Sequence, residues 1–232
     1  MLTDRVLNRT LLQRQHLLER ASLSPLAMVE HLLGLQAQDV LPPYLSLFAR
    51  LHDFEAKALS RTLENRETVR LLVMRGTIHL VTAEDALTLR PFTQPLLTKL
   101  VKSADWGRGF PLELYDDVER RTRETLADGP LPVKQLGEIL AEVYSDRSPS
   151  DCGNLAKSLT ALVQLPPRGL WKQPGGQVYS TVETWLDRPL VEQDQEEIVR
   201  RYLRAFGPAT PADVTAWSGT TGMRDVFKAL GD

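Results

Sequence analysis

The sequence predicts a mainly α protein made of repeated helix-turn-helix units, each closed by a small β-hairpin. Three observations predict it. Apolar residues recur at helical spacing through the N-terminal quarter of the chain. Two β-rich runs, Thr68–Met74 and Thr77–Val81, fold back on each other about Arg75-Gly76. A frame of helix, Gly-Pro, one or two residues, Pro, helix occurs twice, in ETLADGPLPVKQLGEIL (124–140) and YLRAFGPATPADVTAWS (202–218).

Taken in order, Leu11, Leu12, Leu17 and Leu18 mark a first helix. A second starts at Ser24-Pro25, with Ser24 as N-cap and Pro25 in the first turn, and carries Met28, Leu32 and Leu33 on one side until Gly34. Pro42-Pro43 opens a third, Tyr44–Leu51, and a fourth covers about 54–64. Helices followed by the hairpin of 68–81 form the winged-helix pattern. A helical connector at about 83–102 leads to DWGRGFPLELY (105–115), whose turn residues read as a linker. After the first Gly-Pro frame a helix at about 151–163 is expected, with Asp151 as N-cap. LVQLPPRGLWK and QVYST then flank Pro174-Gly175-Gly176 as a second wing. After the second frame a helix covers about Gly222–Leu230, and the sequence stops where another wing should begin. The expected organisation is therefore unit 1 at 1–104, unit 2 at 105–190 and an incomplete, truncated unit 3 at 191–232.

Bulk properties exclude several classes. Of 232 residues, 42% are hydrophobic and 25% charged, and the net charge is -2. These are ordinary values for a globular protein and give no global basic signal, although a local basic face suffices for nucleic acid. Cys152 is the only cysteine, so no internal disulfide forms and a reducing cytoplasm fits. The charged N-terminus is no signal peptide, and no apolar run approaches the roughly 20 residues of a membrane span. His16, His31, His52 and His79 lack metal-binding spacing, and no GxGxxG, P-loop, GxSxG or HExxH is present. No metal or organic cofactor is expected.

The residues left to carry chemistry begin at Gln36-Ala37-Gln38, where an apolar stretch ends. At i and i+2 of an extended segment, two amides point the same way and can grip one small polar object such as a water. A solvated helix end is the competing reading, and spacing alone favours it. Asp39 points the other way, as a cap or ion-pair partner. Arg75 and His79 lie on the first hairpin, either at a DNA backbone and pocket or as a turn charge and a buried strand residue. Tyr44 and Trp106 either stack on bases or pack in the core, the commoner fate of such aromatics. Arg168 and Lys172 on the second wing suit phosphate contacts, and Arg200, Arg201 and Arg204 form a basic cluster that otherwise reads as a solvated face.

LGLQAQDVLPPY followed by VRLLVMRGTIHLVTAED resembles the AlkZ/YcaQ-like family of winged-helix DNA glycosylases. The later LVQLPPRGLWK and GPATPADVTAW extend the likeness over most of the chain. The family signature, Gln, an apolar residue, then Gln or Asp, stands here as Gln36-Ala37-Gln38, the form of the AlkZ-like branch. The resemblance implies tandem winged helices followed by a C-terminal β-rich part. It also implies excision of alkylated bases from double-stranded DNA, with crosslink unhooking associated with AlkZ-like members.

On this reading Gln36 and Gln38 are assigned to catalysis, and Arg75, His79, Tyr44, Arg168 and Lys172, from their places on the hairpins and beside Pro42-Pro43, to DNA. No lysine is implied as a Schiff-base nucleophile, so a monofunctional, monomeric glycosylase is expected. An amide is a poor general base, but an N7- or N3-alkylated purine is cationic and already a good leaving group, so a positioned water suffices. The rival expectations are a non-catalytic winged-helix regulator and a protein-interaction module.

Overall fold

A computed structural model describes residues 3–192 and 194–231. The N-terminal elements are α1 (Asp4–Arg14), α2 (Pro25–His31), β1 (Leu35–Gln36), α3 (Leu41–Arg50) and α4 (Ala56–Glu64). Then come β2 (Thr68–Leu72), a 3-10 turn at Met74–Gly76, β3 (Ile78–Thr82) and the long α5 (Ala83–Ser103). The middle holds a 3-10 turn at Leu112–Leu114, α6 (Tyr115–Ala127), β4 (Leu131–Pro132), α7 (Val133–Val143) and α8 (Pro149–Leu159). The chain continues through β5 (Leu162–Gln164), β6 (Val178–Thr181), α9 (Val182–Leu186), α10 (Gln195–Phe206), α11 (Pro211–Ser218) and α12 (Met223–Leu230). The protein is mainly helical with a small antiparallel sheet, the winged-helix class that the sequence predicts.

Several boundaries differ from the sequence reading for local reasons. Helix α1 ends at Arg14 because His16 turns left-handed, leaving Leu17 and Leu18 exposed beyond it. Helix α3 begins at Leu41, so both prolines sit inside its first turn, where their missing N–H groups need no partner. Helix α8 starts at Pro149. Ser148, not Asp151, is its N-cap, and Asp151 returns the bond from the third position as a capping box. Segment 105–115 is rich in turns but packed, for Phe110 is buried against the rings of Tyr115 and Tyr144.

The two hairpins join. Their strands form one sheet in the order β1-β3-β2-β5-β6-β4. The junction pairs Arg70 with Gln164 and Leu71 with Val163, so the inner edge of each hairpin satisfies the other. One core lies across this seam, with Val69, Leu71 and Val81 from the first hairpin and Val163 from the second. Ile198, Val199, Tyr202, Val214 and Met223, from the helices after residue 194, complete it. A second core fills the space between α2, α3, α4 and the outer strands, and a third lies among α6, α7 and α8.

Candidate nucleic-acid site

The site forms where β1 leaves the sheet. Gly34 makes the approach possible. Its φ is +103°, and a Cβ there would lie 2.6 Å from Val81 Cγ1 and 3.0 Å from Leu80 O, so only glycine brings the chain onto the edge of β3. Leu35 then pairs with Leu80 and Gln36 with His79. The Ala37 N–H donates to Ile78 O at 2.8 Å. Burial alternates strictly: Leu35 and Ala37 are buried, while Gln36 and Gln38 are exposed. This is the alternation of an extended segment with both amides on the open side. The Ile78 N–H donates to Gln38 Oε1 at 3.0 Å. That bond fixes which end of the amide is carbonyl and leaves its second lone pair and its NH₂ available.

Beneath this segment lies a buried cation. Arg70, 1% exposed, donates from Nη2 to Ala37 O at 2.7 Å and from Nε to Gln164 Oε1 at 3.3 Å. Gln164 Nε2 in turn donates to Tyr179 Oη at 2.7 Å. Among the described residues, no carboxylate lies within ion-pair distance of Arg70. Burial first and the neighbouring Arg168 second lower its pKa, against the pull of Tyr179, Tyr44 and Asp39, to about 10. Gly169, at φ +100°, packs directly on the Arg70 stem, where a Cβ would meet Cδ at 2.7 Å.

Gln38 lines a cleft of about 270 Å³ between the first hairpin and the second helix-turn-helix unit. Its other walls include Ile78, Trp106, Asn154, Lys157, Gln164, Arg168, Gln177 and Tyr179, with no Asp or Glu among the described lining residues. Gln36 opens to solvent on the adjoining strand and is not one of the cleft residues.

The remaining sequence-predicted residues fall into three settings. His79, 2% exposed, has its pKa pushed down to about 4, first by burial and then by Arg75, against the Thr77 backbone bond. The Arg75 guanidinium donates to its Nε2 at 3.2 Å, so Nδ1 carries the hydrogen and donates to Thr77 O at 3.0 Å. Arg75, left-handed at φ 55°, also donates to Trp217 O at 2.8 Å, tying the hairpin to α11. Tyr44 is buried, with its ring 5.0 Å from that of Trp171; its hydroxyl donates to Gly169 O at 2.7 Å and lies 3.0 Å from Ser60 Oγ. It supports the second wing from below.

Arg168 lies on that wing, bonded to Gly175 O, and Lys172 is exposed 5.6 Å above the Trp171 ring. Of the basic cluster on α10, Arg201 is spent on buried Asp85 and on Glu30 O, and Arg200 pairs with Glu196.

The structure thus sets Gln36 and Gln38 along the outer edge of the sheet, His79 buried on the strand beside it, Arg75 on the turn tied to α11 and Arg168 in the adjoining cleft, with Tyr44 and Lys172 behind and beyond. It adds Arg70, Lys157, Gln164 and Tyr179, which the sequence reading passed over. Arg70 did carry a signal, as a charge inside the apolar strand VRLLV. Lys157 looks like any helix lysine until the sheet seam places α8 beside Gln38. No cluster of three His, Cys, Asp or Glu side chains that could hold a metal occurs among the described residues, and none of their helices is long and apolar enough to cross a membrane.

A family model described as DNA glycosylase AlkZ-like matches residues 29–232. Among solved structures, the Streptomyces sahachiroi DNA glycosylase AlkZ is similar, with a TM-score of 0.79 at 22% identity. The match covers 95% of this chain but 63% of that one, so it establishes a shared fold over part of a longer protein. A comparison with curated proteins finds no match. With seven-eighths of its length under the family model, the chain belongs to the DNA glycosylase AlkZ-like family.

Proposed function

We propose that this protein is a monofunctional DNA glycosylase that hydrolyses the N-glycosidic bond of cationic, alkylated purines in duplex DNA. Purines joined in interstrand crosslinks form a second class of substrate. The observation that carries the reading is the Gln36-Ala37-Gln38 segment, with both amides open on one side and Ala37 clamped by buried Arg70 beside a cleft without carboxylates. The cleft walls offer amides, hydroxyls and cations, so proton abstraction by a carboxylate or by protonatable His79 is not what they support. They suit a reaction whose leaving group needs no help.

A 7-alkylguanine is such a group. As the C1′–N9 bond breaks, its electron pair neutralises the ring cation and the base departs uncharged. A water donates its hydrogens to Gln36 Oε1 and to the free lone pair of Gln38 Oε1. Its own lone pair then faces C1′, the C1′–O bond forms, and the surplus proton passes to solvent. The carbonyl dipoles stabilise the oxocarbenium charge that develops meanwhile. The bond from the Ile78 N–H holds Gln38 before substrate arrives, and such preorganisation is the larger part of the effect.

The regulator reading gives Gln36 and Gln38 no part, whereas the glycosylase reading uses both open amides beside the cleft. The protein acts as a monomer inside the cell, where its substrate lies.

The test is base release from duplex DNA containing N7-methylguanine, with wild type compared against Gln36→Ala/Gln38→Ala. Release that falls by about 10²–10³-fold in the folded variant, the cost of losing positioned dipoles, is expected. Undiminished release in the variant overturns the mechanism. No release from a folded, DNA-binding wild type overturns the enzyme.

A further inference from the structure

Helix α8 has one open stripe. Ser150, Asn154 and Lys157 follow at i, i+4 and i+7, which places them in one row along the helix. That row lines two clefts. One is the cleft that holds Gln38; the other, about 380 Å³, reaches Lys134 and Ser150. Asn154, Lys157 and Gln177 belong to both, so a single groove runs from Gln38 along α8. Neither part has a carboxylate among its described lining residues, in a chain whose net charge is -2.

Lys157 stands at the junction. Its ammonium makes no hydrogen bond or ion pair with any described residue, and burial pushes its pKa down. Arg168 shares the cleft and has a buried Nε without a partner, and Arg70 lies beneath, its charge unpaired by any described carboxylate. Two cations, Lys157 and Arg168, lining one cleft that offers no described carboxylate are unfavourable unless an anion joins them. They are doubly so beside a C1′ that becomes positive during the reaction proposed above.

We propose that Lys157, with Arg168, forms a phosphate site that grips the DNA backbone beside the nucleotide presented to Gln38. A strand lying in the groove would place a phosphodiester on Lys157 while the amides of Asn154 and Gln177 follow its path. The bound phosphate completes the charge balance of the site and screens the arginines from the oxocarbenium. The inference rests on the glycosylase reading only for the identity of the nucleotide.

The experiment is the salt dependence of binding to an undamaged labelled duplex, which reports phosphate contacts without turnover. Wild type, Lys157→Met, Lys157→Gln and Lys157→Arg are compared, with Lys228→Met on α12 as a control. Removing one phosphate contact lowers the slope of log K against log salt by about 0.9. That loss is expected for the Met and Gln variants, with wild-type slope for Arg and for the control. An unchanged slope in folded Lys157→Met and Lys157→Gln overturns the site, as does an equal loss in Lys228→Met.

Base release from methylated DNA, measured in parallel, separates the two proposals. A wild type that shows the lysine-dependent slope but releases no base retains the phosphate site and loses the enzyme.

Discussion

Arg201→Met should destabilise the protein although the arginine belongs to a surface-looking basic cluster. Arg201 donates from Nη2 to Asp85 Oδ2 at 3.0 Å, with Nη1 on Oδ1, and the Asp85 side chain is only 3% exposed. Removing one partner of a buried pair leaves an uncompensated charge, which costs about 3–5 kcal/mol. Asp85 lies in the first turn of α5, and its own N–H is held by the N-cap Thr82. The helix terminus therefore returns about 0.3–1 kcal/mol to the stranded carboxylate. The net loss is about 2–5 kcal/mol. At about 2–4 °C per kcal/mol for a chain of this size, Tm falls by about 9 °C.

Urea melts and calorimetry of Arg201→Met, Asp85→Asn and the double variant measure it. The double variant should recover much of the loss, because no buried charge remains. A single-variant loss below about 1 kcal/mol, or additive losses in the double variant, would refute the argument that α10 is locked to α5 by this pair.

Two further predictions concern the edge that carries the amides. His79 is held neutral in the fold, with its pKa pushed down to about 4 from 6.5. Below pH 6.5 the unfolded chain takes a proton that the buried ring refuses. Stability is therefore whole above 6.5 and drains by about 1.4 kcal/mol per unit as pH falls towards 4. Tm measured from pH 7.5 to 4.5 should fall less steeply in His79→Gln, and parallel curves would show that His79 is not the group responsible. Gly34→Ala combines a left-handed residue with an overlap on Val81, so a loss of about 2–4 kcal/mol is expected by denaturant melting. A loss within 0.5 kcal/mol would mean that β1 can reach β3 by another path.

The helices and both hairpins were legible in the sequence because their signals are local. Ser24-Pro25, Arg75-Gly76 and the repeated Gly-Pro frames each act within a few residues. The Gln36-Ala37-Gln38 segment is as local, but its spacing alone reads as a solvated helix end, and the family resemblance is what singled out the two amides. What was hidden depends on pairing across long separations. The register Arg70 with Gln164, 94 positions apart, fuses two wings into one sheet and brings α8 beside Gln38. No periodicity encodes that. Tyr44 shows the same gap: as the ring of PPY it reads as a core ring more readily than a stacking one, but its partners Gly169 and Trp171 arrive from far along the chain.

Net charge was the least informative number, because the fold sorts charge by place. Arg120, Arg121 and Arg123 are matched by Asp117, Glu119, Glu124 and Glu183 on and near α6. Arg188 meets Glu84, Arg200 meets Glu196 and Arg201 meets Asp85. These pairs consume basic residues that a composition count treats as free. Arg70, Lys157 and Arg168, around the Gln38 cleft, are left unmatched by any described carboxylate. A slightly acidic protein thereby keeps a local positive potential where its two amides lie. A phosphodiester binds to local potential and not to net charge.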